Sequence, residues 1–138
     1  MPDTMIPTKA MMKLSNALCD FSDKLDDYIK ASPDPFTPEM MQLCMLDIRI
    51  ELNAATIGAM AADLAAPGVL QAIADLNVQV GRARKTLQEI DNAKLALSLG
   101  ESVLSAAVTI SNGNPLGAAT AVLGLVDGIK GAINATKS

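Results

Sequence analysis

The sequence predicts an all-α fold: a four-helix, up-down-up-down bundle whose last pair forms a Gly/Ala-rich C-terminal helical hairpin. Three observations predict it. Half of the 138 residues are apolar but only 2% are aromatic, so core volume must come from Ala, Leu, Ile, Val and Met, small side chains that suit close helix packing. Apolar residues recur at three- and four-residue steps along four segments, the period of a helix buried on one face. No segment alternates apolar and polar residues as a half-buried strand would; Ile48 and Ile50 do so only briefly. The length suits a single domain spanning 1–138.

The first helix is predicted over about 8–31. It should start after Pro7, with Thr8 as N-cap. Met11, Leu14, Leu18, Phe21, Leu25 and Tyr28 form its seam. Asp20 with Lys24, and Asp26 with Lys30, are i,i+4 pairs with the acid first, the better order. Asp23, Asp26 and Asp27 lack the loop and glycine of a calcium-binding hand and read as a solvated face.

The stretch "ASPDPFTP" ends that helix, because three closely spaced prolines remove backbone donors and push the residues before them toward extended geometry. The second helix, about 37–66, then has a defined start: Thr37 as N-cap, Pro38 at the first helical position and Glu39 in the first turn. Gln42, Arg49, Thr56 and Asp63, seven apart, leave one narrow polar stripe on it. Most of its remaining surface is apolar, which predicts several packing neighbours. This proline break, "SPDPFTPEMMQL" followed by "LNAATIGAM", loosely resembles the one in secretion-needle subunits. The resemblance covers less than half of the chain and carries no site with it.

The third helix is predicted over about 68–111, opening after the "APG" corner at Ala66 to Gly68. Its periodic run is Val69, Ile73, Leu76, Val80, Ala83, Leu87, Ile90 and Leu97, with a kink expected near Gly100. "NGNP", Asn112 to Pro115, ends it, since Asn and Gly accept the left-handed geometry of a helix terminus. Asn114 then caps a fourth helix, about 115–135, with Pro115 at its first position. Leu116, Ala119, Val122, Val126, Ile129 and Ile133 trace its seam. The short linkers predict that consecutive helices are antiparallel neighbours. A three-helix bundle with the last hairpin folded back is the alternative arrangement.

Composition narrows the function. A net charge of −4 and a pI near 4.6 disfavour a polyanionic partner, so no nucleic acid is expected. Arg82, Arg84 and Lys85 read as one solvated helix face. The chain has no His, which removes His-based acid–base chemistry and most transition-metal sites. Cys19 and Cys44 have no metal-binding spacing and are expected as buried free thiols, with a disulfide joining their two helices as the alternative. No cofactor and no metal are expected. Asp47 and Glu51, four apart beside Arg49, read as part of a solvated stripe, and Ser98, Ser102 and Ser105 have only Glu101 for a base. "MPDTMIPTKAMMK" lacks a basic and an apolar leader region, so the expected location is cytoplasmic, or outside the cell by a route without a cleaved leader.

Ser102 to Val126 holds no charged side chain over twenty-five residues. "NGNP" cuts it into two legs, each about 15 Å long as helix, half of a hydrocarbon core. A buried hairpin is therefore favoured over a spanning segment. The mean hydropathy of +0.29 is high for a chain with 19% charged residues. The expectation is a non-enzymatic helical interaction or assembly protein, acting through apolar helix faces on a protein partner or on itself. The candidate interaction residues are Leu116, Val122, Leu125 and Val126 in the hairpin, with Met40 and Met41 opening the second helix. Two alternatives stand beside it: a membrane-active, exported effector or toxin-like module inserting 102–126, and a carrier of small apolar ligands.

Overall fold

The structure, a computed structural model, describes residues 2–34, 36–59, 68–90, 92–112 and 119–136, and of residues 2–9 the backbone alone. The described residues are all-helical, with no strand, and form five helices: α1 (Pro2–Lys30), α2 (Pro38–Gly58), α3 (Val69–Leu87), α4 (Ala93–Ser111) and α5 (Ala119–Ala135).

Two predicted boundaries are corrected. The helix expected over 68–111 is two helices. α3 stops at Leu87, a turn runs through Gln88 and Glu89, and Asn92 restarts the chain as N-cap of α4, its side-chain oxygen accepting from Lys94 N–H at 2.8 Å. Ile90 is buried within the break, so the apolar rhythm reaches into it, and the position between Ile90 and Leu97 falls to the exposed Lys94. Gly100, the expected kink, lies buried inside α4, where an added Cβ would come within 3.2 Å of Leu46 Cδ1. Its role is close approach to α2. The first helix begins at Pro2 and runs through Pro7; nothing among the described contacts accounts for this early start.

The start of α2 follows its residues: Thr37 is extended, its Oγ1 accepts from Met40 N–H at 3.3 Å, and Pro38 occupies the first turn. α2 closes at Gly58 with Ala59 as C-cap, so the expected 60–66 extension lies outside the described residues. Gly68, before α3, has φ +85, a left-handed geometry that an L side chain adopts only with strain.

Each helix has two principal neighbours. α1 packs on α2 and α3, α2 on α1 and α4, and α5 on α3 and α4. The helices thus close a ring in the order α1, α2, α4, α5, α3. In this ring neither α2 and α3 nor α3 and α4 are principal neighbours, so adjacency of consecutive helices is seen only for α1 with α2 and α4 with α5. α1 and α2 are antiparallel, since Ser15 Oγ donates to the Ala54 carbonyl at 2.7 Å while Ser22 Oγ donates to the Asp47 carboxylate. α2 and α4 run parallel: Leu46 meets Gly100, and Asn53 accepts from Ser111 Oγ at 2.8 Å.

The ring encloses one apolar core. Leu14, Leu18, Phe21 and Leu25 of α1 meet Leu43, Ile50 and Ile57 of α2, with Ile73, Leu76 and Val80 of α3, Leu99, Val103 and Ile110 of α4, and Val122, Val126, Ile129 and Ile133 of α5. The buried polar side chains Ser22, Gln79 and Thr86 do not break it: Ser22 reaches Asp47, and Gln79 accepts from Arg82. Among the described residues no buried side-chain polar atom lacks a partner. The expected pair Asp26–Lys30 forms at 2.8 Å. Asp20 instead lies 3.8 Å from Arg84 on α3, and Lys24 turns to Asp27.

Candidate functional site

The structure separates the predicted interaction residues. Val122 and Val126 are buried on the inner side of α5, and Leu125 is half-buried. Leu116 lies outside the described residues. Met40 is buried, while its neighbour Met41 points outward, as a 100° step per residue requires.

Met41 belongs to a longer row, of which only the methionines stand out in the sequence as a possible partner-binding surface. Met41, Met45, Ile48 and Leu52 are 59%, 64%, 58% and 65% exposed. Their spacing of four, three and four residues places them in one line along α2. The line lies opposite the buried positions Leu43, Ile50, Ala54 and Ile57. α2 is therefore apolar on two opposed faces, and the fold covers only one. Arg49, with Gln42 and Thr56, flanks the outer row on one side; Cys44 and Glu51 flank it on the other. Both cysteines are free. Cys44 is exposed rather than buried as expected, because its helical position falls on the outer half of α2.

α5 has a second unusual outer face. Gly124, Gly128, Gly131 and Ala135 are exposed and share the same four-three-four spacing. An added Cβ at any of the three glycines would meet nothing within 4 Å. The bundle does not use these glycines for its own packing, although each costs about 0.8–1 kcal/mol of helix propensity relative to Ala.

Asp47 and Cys19 sit where the fold alters their acidity. Burial pushes the Asp47 carboxyl above the usual carboxylate range, Glu51, Asp26 and Asp23 raise it further, and the Ser22 hydrogen bond opposes the rise. Burial also raises the Cys19 thiol, reinforced by Glu51, Asp23 and Asp20, which keeps it protonated and a poor nucleophile. Ser98 and Ser105 face solvent on α4. Among the described residues no cluster of His, Cys, Asp or Glu could hold a metal ion. A cavity of about 560 Å³ opens at the end of the bundle, where Tyr28, Met40, Leu87 and Ile90 form apolar walls beside Lys24 and Asp27. It is the described feature on which the carrier alternative would rest.

α4 is long and apolar enough, by length and composition, to cross a membrane. Its apolar positions Leu99, Val103, Ala106, Ala107 and Ile110 are buried in the bundle. The exposed side presents Lys94, Ser98, Glu101 and Ser105.

Comparison of the chain with protein-family models, with curated proteins and with solved structures returns no match.

Proposed function

We propose that the chain is a non-enzymatic helical assembly protein that works through the outer face of α2. The observation that carries this reading is the exposed row Met41, Met45, Ile48 and Leu52 on a helix whose opposite face already fills the core. Scattered apolar residues on a surface need no explanation, but a contiguous row at helical spacing marks a docking face. Methionine suits such a face, because its flexible thioether adapts to a partner. The hairpin residues Val122 and Val126 serve the interior in this reading, and Met41 stays as the one predicted contact among those described.

Full burial of such a side chain is worth about 1.5–3 kcal/mol, so covering the exposed three-fifths of all four returns about 4–7 kcal/mol. Association costs roughly 4–15 kcal/mol in lost freedom. The row alone thus sits at the margin, and a stable complex needs a partner surface that fits it closely. Light scattering of the purified chain over rising concentration tests the reading. The wild type should gain mass, and Met45→Asp combined with Leu52→Asp should stay monomeric, with a melting temperature close to the wild type's at dilutions where both are monomeric. A wild type that remains monomeric throughout would remove it.

A further inference from the structure

The partner of the α2 row is inferred on the basis of that assembly reading. We propose that the outer ridge of α2 docks along the outer glycine row of α5 in a second copy, with the two helices parallel. The two rows match in spacing and are opposite in relief. Met41, Met45, Ile48 and Leu52 project from α2, and Gly124, Gly128, Gly131 and Ala135 leave α5 bare at the same four-three-four intervals. Laid side by side, Met41 falls on Gly124, Met45 on Gly128, Ile48 on Gly131 and Leu52 on Ala135. Space beyond each of the three glycines is open, so large side chains can settle against backbone, the close approach that small residues permit between helices.

Charge selects the direction. Arg49 lies on one flank of the ridge and Glu51 on the other. On α5, Asp127 is the charged residue directly flanking the glycine row, with Thr120 and Asn134 seven residues to either side and Lys130 exposed farther round the same side. In a parallel pair, facing flanks are opposite in hand, and contacts across the seam link positions about five residues apart, as between the flanking positions of coiled coils. The register above then sets Arg49 against Asp127 of the partner copy. Reversing the helices would set Glu51 against that same aspartate, and like charges oppose it.

The two faces belong to different sides of the molecule. In the ring, α4 separates α2 from α5 on one side, and α1 and α3 separate them on the other. A copy using its ridge keeps its glycine row free. The contact is heterologous, and assembly runs head to tail beyond a dimer.

Complementation in sedimentation velocity tests this. Met45→Asp disables the ridge and leaves the groove; Gly128→Lys fills the groove and leaves the ridge. Both positions are exposed, so at dilutions where all three are monomeric both variants should melt within a few degrees of the wild type. The expected result is growth of the wild type past dimer, each variant alone monomeric, and an equimolar mixture forming a one-to-one dimer that grows no further. Arg49→Asp or Asp127→Arg alone should weaken wild-type association about fivefold, and the two together should restore it. If the wild type associates but the mixture stays as two monomers, the ridge-to-groove contact is overturned while the assembly reading stands. If the wild type never associates, both fall. If the double charge swap fails to restore association, the parallel register is overturned.

Discussion

Asp47 shows how the fold positions a charge against its preference. α1 and α2 cross closely enough for Ser22, itself fully buried, to donate to the Asp47 carboxylate, and that closeness strips water from the acid. Burial and the nearby Glu51, Asp26 and Asp23 raise its pKa above the ordinary 3.8. The folded chain therefore holds this proton more tightly than the unfolded chain. Linkage makes that contribution favourable below the unfolded value and lost as pH rises through the folded one. Asp47→Asn keeps an oxygen for Ser22 and removes the charge. It should raise the melting temperature at pH 7, and the gain should vanish in melts below about pH 4. A gain of equal size at both pH values would refute the electrostatic origin. The methionines make a second point at this scale. Met40 and Met41 are adjacent in sequence, yet one is core and the other surface. The sequence showed α2 as apolar nearly all round and implied neighbours on several sides. Which of those sides the fold leaves bare depends on the ring, and that is not written in α2 itself.

At the scale of the element, caps explain what periodicity hid. Thr37 and Pro38 announce α2, and the chain starts the helix there. Asn92 announces α4 in the same way, but Leu87, Ile90 and Leu97 keep helical spacing across the break and mask it. Ile90 belongs to the core although it lies between helices, so the apolar pattern reports burial there and not continuity. The Asn92 cap should therefore matter. Asn92→Ala, which orphans the Lys94 N–H, should lower stability by about 1 kcal/mol in urea denaturation, and Asn92→Asp or Ser should recover most of it. No loss on Asn92→Ala would mean that packing around Ile90 alone sets the boundary. Gly100 was legible as special but not in kind. Alone, a glycine in a helical run suggests a bend; beside Leu46 it is a point of contact between parallel helices.

For the whole molecule, the all-helical class was readable because a chain so poor in aromatics, with such steady three- and four-residue steps, has few other ways to bury its apolar half. The order of helices around the core was not readable, since α2 and α4 become neighbours only through residues fifty or more apart, such as Asn53 and Ser111. The same limit hid the interaction face. The hairpin Val122 and Val126 looked as available as Met41 until the ring closed over them. Besides single exposed apolar side chains such as Met12, Phe36 and Val78, the ring leaves outside an apolar ridge on α2 and a bare glycine row on α5, and assembly requires the ridge to be covered when copies meet. Methyl NMR of the chain carrying labelled methionine, with a soluble paramagnetic probe, reads this directly over about 1 µM to 500 µM, a range that spans weak association. The Met41 and Met45 methyl groups should be strongly relaxed when dilute and become shielded on concentration, while Met11 and Met40 stay shielded throughout. Met41 and Met45 methyl groups that remain equally accessible at every concentration would contradict it.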